Sequence, residues 1–249
     1  SNMDAKGVSM RKRVREIGFD VDAYTARLIG LENVSKLEGA VFEIVKNAYD
    51  ADASLCCLHY SNAENRIYIL DNGCGMKEEV LRTHWMTIGN SSKKSSYITK
   101  NGRIQTGAKG IGRFALDRMS DQCDMLTISD EGSLEWIVDW RDFDGSKRIS
   151  EVKARVYDTD IHLLEHVGIE RWKNRAVAAE IEKCNFGGTG TAFCLDRLHD
   201  VWNEKTMNRL RNHLENLLPP DVTQKFCIWF FDDSTSVEDA LITSANVES

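Results

Sequence analysis

Three polar residues, Glu43, Asn47 and Asp50, are spaced for one face of a helix. Intervals of four and three residues place them on a single stripe of an α-helix. Apolar residues fill the rest of the circumference, namely Leu37, Ala40, Val41, Ile44, Val45 and Ala48. An acid one turn before an amide suits metal-assisted hydrolysis of a phosphoanhydride, because Glu43 can deprotonate a water and Asn47 can supply a neutral oxygen ligand to Mg²⁺. Taken alone, the stripe also fits the solvated edge of a half-buried helix.

A second group, formed by Asp71, Gly73, Gly75 and Met76, follows a strand-like run. A carboxylate at the end of a strand can accept a hydrogen bond from the exocyclic amine of adenine. The two glycines let the backbone lie close to a base. An ordinary Asn-Gly turn is the alternative interpretation of this segment.

A glycine-rich loop, Gly107-x-x-Gly110-x-Gly112, precedes a predicted helix. Its free backbone N–H groups and the positive end of the helix would hold phosphates. The loop lacks the Gly-Lys-Ser/Thr ending of a Walker A motif, and its spacing differs from that of a Rossmann fingerprint. Charged residues from 93 to 113 are all basic, namely Lys93, Lys94, Lys100, Arg103, Lys109 and Arg113. This excess of positive charge would suit the binding of a polyanion. The alternative interpretation is a solvated loop.

These motifs require elements that position them. The sequence predicts a helix from about Ser35 to Asp50, strands at 55–60 and 66–70, and a helix at 77–86. A long loop at 87–106, a helix from 111, a hairpin at 122–129 and 134–140, and strands at 149–157 and 189–195 follow. A helix at 203–218 and a strand at 225–231 complete the pattern. The fold class is α+β in two layers, with a mixed, largely antiparallel sheet covered by helices on one face.

Composition restricts the class of protein. The chain has 249 residues, of which 42% are hydrophobic, and a net charge of −7. This charge argues against a protein whose entire surface binds nucleic acid, but not against a local basic patch. Seven cysteines without a CxxC pair predict reduced thiols, a cytoplasmic location and no zinc site. No apolar run approaches the roughly 20 residues of a membrane span, so no membrane partner is expected.

The four motifs, ending with Gly190-Thr191, together resemble the GHKL superfamily of gyrase, heat-shock chaperone, histidine kinase and MutL, which share the Bergerat ATP-binding fold. Glu43-x-x-x-Asn47-Ala48-x-Asp50-Ala51 resembles its N box, Asp71-x-Gly73-x-Gly75-Met76 its first glycine box and Gly107-x-x-Gly110-x-Gly112 its second. The run Trp85–Gly89 and the run Gly110–Phe114 are most similar to bacterial MORC-like and heat-shock-chaperone-like ATPases.

The resemblance implies ATP and Mg²⁺ as ligands, a mobile lid at residues 89–106 and, in many members, ATP-driven dimerisation. It implies Glu43 as catalytic base, Lys109 as a catalytic cation and Asn47 as the Mg²⁺ ligand. The implied ATP-binding residues are Asn47, Asp50, Ala51, Asp71, Gly73, Gly75, Met76, Gly89, Gly107, Lys109, Gly110, Ile111, Gly112, Arg113, Phe114 and Thr191.

Two departures from the family pattern refine the expected function. Histidine kinases usually carry Asn where this chain has Glu43, and no phosphoacceptor helix pair is evident upstream, which disfavours a kinase. Gyrase and MutL take a γ-phosphate lysine from a following domain. Three interpretations are open here: such a lysine is dispensable, Lys109 or a lid lysine substitutes for it, or the chain is one domain of a longer protein. The last is favoured as an expectation, because a switch needs something to move.

The favoured hypothesis is a slow ATPase switch that drives an attached module, in DNA-associated or phage-defence machinery, with a nucleic acid or protein client reached through missing domains. A histidine-kinase-like domain and a non-catalytic nucleotide-binding module are the alternatives. The predicted domains are an N-terminal helical extension at 1–30, which follows the tag scar Ser1-Asn2, the ATPase domain at 31–235, and a tail or the start of a further domain at 236–249.

Overall fold

The computed structural model describes residues 11–18, 20–21, 36–88, 97–98, 104–105, 112–143, 153–217 and 226–243. The strands of this part of the chain are β1 Lys12–Gly18, β2 Asp20–Val21, β3 Leu55–Ser61, β4 Arg66–Asp71, β5 Thr87–Ile88, β6 Tyr97–Ile98, β7 Ile104–Gln105, β8 Ser120–Ser129, β9 Gly132–Asp139, β10 Lys153–Asp158, β11 Gly190–Leu198, β12 Cys227–Phe231 and β13 Leu241–Ile242. The helices are α1 Leu37–Asp50, α2 Glu78–Val80, α3 Gly112–Met119, α4 Leu163–His166, α5 Arg175–Glu182, α6 Glu204–Leu217 and α7 Val237–Ala240, with a π-helical turn at Leu81–Trp85 and 3₁₀ turns at Trp140–Phe143 and Ile169–Arg171.

Nine of the described strands form one sheet in the order β1-β10-β9-β8-β11-β4-β3-β12-β13. The pair β12–β3 is parallel, and the other neighbours in this sheet are antiparallel. Two short ladders, β2–β5 and β6–β7, lie apart from it, and β5, β6 and β7 all fall inside the predicted loop at 87–106. The α+β class with a mixed, largely antiparallel sheet is therefore confirmed.

The longest helices lie on one face of the sheet. All six apolar positions predicted for the buried side of α1 are buried, because they recur at helical spacing and pack on the sheet. α3 and α6 pack beside α1 on this face. Helix α1 begins at Leu37, and Lys36 is its N-cap. The predicted cap, Ser35, lies outside the described residues.

The opposite face also carries helices, which the predicted one-sided layer did not include. α4, α5 and α7 bury Leu163, Val177, Ile181 and Ala240 against a second apolar cluster of the sheet. This layer comes from the segment at 160–184, for which the sequence analysis gave no element, and from α7 near the end of the described chain. The sheet is thus covered on both faces over its central strands.

The N-terminal segment differs from its prediction as part of a helical extension. Residues 12–18 form the edge strand β1, which pairs with β10 and buries Ile17 opposite Ala154. A bulge between Lys12 and Arg15 interrupts the alternation, and for this reason the basic run does not show the two-residue period of a strand.

Residues 237–242, predicted as a tail or a new domain, contribute α7 and β13, and Ile242 pairs with Ile228 at the other sheet edge.

None of the described helices combines the length and apolarity needed to cross a bilayer.

Candidate nucleotide site

Helix α1 carries the predicted acid–amide–acid stripe next to its buried face. Glu43 is half-buried and Asn47 is exposed, while Ile44 and Ala48 beside them are buried. Desolvation raises the pKa of the Glu43 carboxyl, and the charge of Lys46 opposes that shift. A carboxylate with a raised pKa accepts a proton more readily, as a general base must. Asp50 is half-buried and is the last residue of the helix.

The end of α1 contacts the loop that follows β4. Ala51, the C-cap of the helix, accepts a hydrogen bond at its carbonyl oxygen from the backbone N–H of Cys74 at 2.8 Å. Gly73 lies so close that a Cβ on it would come within 2.6 Å of the same oxygen. The structure thus brings together the predicted N box and the predicted first glycine box.

Asp71 is a buried carboxylate at the end of β4, with 7% of its surface exposed. Its Oδ1 accepts a hydrogen bond from the backbone N–H of Gly73 at 2.9 Å. Burial raises the pKa of Asp71 to about 7, although the backbone N–H groups of Gly73 and Thr191 favour the ionised form. A buried acceptor with capacity for a further donor is the chemistry expected for recognition of an exocyclic amine.

A row of three polar side chains crosses the sheet beside this loop. Asp71 on β4 pairs with Thr191 on β11, which pairs in turn with Thr127 on β8. The hydroxyl oxygens of Thr191 and Thr127 are 3.0 Å apart. Thr127 Oγ1 also accepts the backbone N–H of Met76 at 2.8 Å. Asp71 and Thr127 therefore hold the two ends of the glycine box.

Two glycines are required by close backbone approaches. Gly75 has a φ of +67°, and a Cβ there would overlap the carbonyl oxygen of Ile128 on β8. A Cβ on Gly190 would overlap the carbonyl oxygen of Asp71. The loop therefore lies directly on the neighbouring strands, which larger residues would prevent.

The second glycine box is described only at its end. Gly112 begins α3, and this helix packs against α1, which places the end of the box beside the N box helix. The backbone of Arg113 and Phe114 forms the first turn of α3. Five predicted site residues lie outside the described residues, namely Gly89, Gly107, Lys109, Gly110 and Ile111.

Three contributors to the site were missed by the sequence analysis. Thr127 lies on a strand with no local motif, so its role depends on sheet register. Thr189 donates its hydroxyl to the carbonyl oxygen of Gly73 at 2.7 Å. Asn72 accepts the N–H groups of Ser54 and Leu55 at 2.8 and 3.2 Å, which anchors the loop to the start of β3. The Asp-Asn-Gly triplet, typical of turns, was the available signal for Asn72.

A cluster of potential metal ligands lies elsewhere. Asp124, Glu135 and His166 have ligand atoms within 4.8 Å of one another. They lie on the sheet face opposite α1, because Met125 and Trp136 beside them point towards the α1 side. The guanidinium of Arg11 binds both oxygens of Glu135, at 2.9 and 2.7 Å. Because of this placement, we do not assign the cluster to a metal that accompanies a nucleotide at α1.

The helix stripe, the buried acid of the glycine box and the sheet beneath them define an ATPase-type nucleotide-binding domain. Residues 34–168 match the sequence model of the family described as “Histidine kinase-, DNA gyrase B-, and HSP90-like ATPase”. The match spans more than half of the chain, and the chain belongs to this family.

The chain is also similar to the putative type II restriction enzyme HgiDII of Herpetosiphon aurantiacus. The two are 34% identical over 88 residues, which cover 35% of this chain and 14% of that protein. The chain therefore spans only a small part of the length of this relative.

Proposed function

We propose that this domain binds Mg²⁺ and ATP and hydrolyses the nucleotide slowly, and that the cycle of binding and hydrolysis switches an attached module between two states. The observation that carries the proposal is the contact between the end of α1 and the glycine box, which joins the Glu43–Asn47 stripe to the buried Asp71. A nucleobase recognised at Asp71 would extend its phosphates towards the N-terminal end of α3, where the first backbone N–H groups have no partner within the helix.

Glu43 is the proposed general base, and its raised pKa and half-buried position support this role. Asn47 fits a hard-metal site, because the residue is exposed one turn from Glu43 and its amide can supply a neutral oxygen ligand. Mg²⁺ bound with ATP would neutralise charge on the phosphates. Lys109 is the proposed cation for the γ-phosphate, and residues 89–106 are the proposed lid.

The attached module is proposed to act on DNA or in phage defence. Support comes from the similarity to a putative restriction enzyme and from the resemblance to MORC-like ATPases. ATP-dependent formation of a homodimer is the proposed way in which the nucleotide state reaches that module. A switch of this kind needs a ligand that binds its two states with different affinity.

A test compares the parent protein with Glu43→Ala. Both should bind a non-hydrolysable ATP analogue in calorimetry, and the variant should release phosphate about 10²–10⁴-fold more slowly, as expected for loss of a general base. Glu38→Ala is the matched control, because Glu38 is an acid of the same helix that pairs with Arg209 instead of lying on the stripe. Its rate should equal that of the parent.

The other outcomes identify the alternative functions. Nucleotide binding without phosphate release by either protein would indicate a passive binding module. Transfer of the γ-phosphate to protein would indicate a kinase. Equal phosphate release by parent and Glu43→Ala would remove Glu43 from the role of base.

A further inference from the structure

The contacts around Thr127 fix the direction of the hydrogen bond between the hydroxyl groups of Thr127 and Thr191. The backbone N–H of Met76 can only donate, so Thr127 Oγ1 is an acceptor in that 2.8 Å bond. The hydroxyl proton of Thr127 then needs an acceptor of its own, since the residue is fully buried. Among the described residues, Thr191 Oγ1 at 3.0 Å is the hydrogen-bond acceptor within its reach.

The opposite direction would be costly. If Thr191 donated to Thr127, the Thr127 proton would be buried without an acceptor among the described residues, and an unsatisfied buried polar group destabilises a fold. The chain of donors therefore runs from the Met76 N–H to Thr127 and from Thr127 to Thr191. The hydroxyl proton of Thr191 has no acceptor among the described residues, but Thr191 keeps 7% of its surface exposed whereas Thr127 keeps none, so this proton can be donated to water or to a ligand.

This direction matters because Thr191 is the cross-strand neighbour of Asp71. Asp71, when ionised, offers only acceptors, and Thr191, which accepts from Thr127 with one lone pair, keeps its O–H proton as a donor. Adenine presents an amine donor beside a ring-nitrogen acceptor, which complements such a pair. Guanine presents a carbonyl acceptor and a protonated ring nitrogen at the same positions, so both of its groups would meet the wrong partner.

We propose that Thr127 is a positioning residue that sets the base selectivity of the nucleotide site, by holding Met76 and by directing the Thr191 hydroxyl as a donor beside Asp71. The inference rests on the proposed binding of ATP. It assigns Thr127 no contact with the nucleotide itself. Its effect is transmitted by two hydrogen bonds, one to the glycine box and one to Thr191.

The test measures the affinities of ATP and GTP, each in non-hydrolysable form, for three proteins. Thr127→Val keeps the shape of the side chain and removes its hydroxyl, whereas Thr127→Ser keeps the hydroxyl. We expect Thr127→Val to weaken ATP binding about tenfold and to lower the ATP-to-GTP affinity ratio by a similar factor, from the loss of hydrogen bonds to buried groups. Thr127→Ser should restore the ratio to within about twofold of the parent.

A matched control separates this role from a general loss of stability. Thr206, on helix α6, is also buried and donates its hydroxyl to the carbonyl oxygen of Val201 at 2.9 Å. Thr206→Val should lower the melting temperature without changing the ATP-to-GTP ratio. If Thr127→Val does not fold, Thr127→Cys replaces it, because a thiol is a weak donor and a weak acceptor.

A double-variant cycle gives the second measurement. If Thr127 acts through Thr191, the ratio for the variant that combines Thr127→Val with Thr191→Val should equal that for Thr191→Val alone. An unchanged ratio in Thr127→Val, with ATP still bound by the parent, would overturn this inference and leave the proposed function intact. Failure of the parent to bind ATP would overturn both.

Discussion

The backbone N–H of Cys74 donates to the carbonyl oxygen of Ala51 at 2.8 Å, and this bond fixes the glycine box to the end of α1. The carbonyl groups at the end of a helix have no partner within the helix, so an external donor satisfies one of them. The loop is held from the other side by Asp71, which accepts the N–H of Gly73. The proposed adenine-binding residue Asp71 and the helix α1, which carries the proposed catalytic and Mg²⁺-binding residues, are therefore connected through one short, hydrogen-bonded segment.

Replacement of Asp71 by Asn should weaken ATP binding about ten- to hundredfold. The variant exchanges a charged acceptor for a neutral amide, and a hydrogen bond to a charged group contributes about 1.5–3 kcal/mol. Calorimetry with a non-hydrolysable analogue measures the change. Asp196→Asn is the control, because Asp196 lies on β11 as an exposed partner of Arg66. Parent-like affinity in Asp71→Asn would remove Asp71 from the site.

The affinity for ATP should also depend on pH near neutrality. The pKa of Asp71 is raised to about 7 in the free protein by burial. An amine that donates to this group prefers the ionised form, so affinity should fall as the pH decreases from 8 to 6, by up to about tenfold for each unit below the pKa. The phosphates of ATP also titrate in this range, so Asp71→Asn supplies the reference curve. Parallel profiles for the two proteins would contradict the prediction.

Replacement of Asn47 by Ala should weaken both ATP binding and turnover in a manner that depends on Mg²⁺. Asn47 is exposed on the stripe of α1, so its removal should leave the core packing of the helix unchanged. We expect the variant to require about tenfold more Mg²⁺ for half-maximal ATP binding, as for loss of one ligand group. A Mg²⁺ titration checks this. A constant defect in the presence of a chelator would indicate that Asn47 contacts the nucleotide instead of the metal.

Local motifs account for the parts of the site that could be predicted from the sequence. The α1 stripe and the end of β4 at Asp71 follow from helical spacing and from apolar runs next to glycines, and the structure has both elements at those residues. The predicted roles of these residues stay predictions. Thr127 could not be predicted, because a cross-strand neighbour is set by sheet register between segments far apart in the chain.

Tertiary context also explains the largest difference in the fold. The run at 12–18 carries three basic residues and was predicted as part of a helical extension. In the structure the run pairs with β10 as a strand, where Arg13 and Arg15 form ion pairs with Asp158 and Arg15 also pairs with Glu78. Such partners lie more than sixty residues away along the chain, so no local pattern contains them.

Replacement of Gly75 by Ala should destabilise the protein by about 1–3 kcal/mol and weaken nucleotide binding. Its φ of +67° is costly for a residue with a Cβ, and that Cβ would overlap the carbonyl oxygen of Ile128. Urea denaturation measures the loss. Gly187→Ala is the control, because a Cβ there meets no atom within 4 Å, and its effect should stay within about 0.5 kcal/mol. Equal stabilities for the two variants would show that the loop can shift away from β8.

His59 should make the stability of the fold sensitive to acid. Its ring is fully buried and lies 4.4 Å from the ring of Trp172 and 4.6 Å from that of Phe231, measured between centroids. Burial lowers its pKa to about 4, and the partner Asp233, whose Oδ1 is 3.3 Å from Nε2, only partly offsets this shift. The buried ring is therefore neutral at pH values at which the ring in the unfolded chain, with a pKa of about 6.5, is already charged.

The sign of the effect follows from the number of bound protons. Between pH 6.5 and about 4 the unfolded chain binds a proton at His59 that the folded chain does not, so the free energy of unfolding falls as the pH decreases through this window. Urea titrations at pH 7 and pH 5 should show a loss in the parent that is smaller in His59→Phe. His199 is the contrasting control. Burial alone would lower its pKa, but the hydrogen bonds to Asp121 and to the backbone of Arg118 outweigh this effect and the net shift is upward, so its contribution is lost only as the pH rises. His199→Asn should therefore lose more stability between pH 7 and pH 5 than the parent. An equal loss in the parent and in His59→Phe would show that groups other than His59 cause the acid sensitivity.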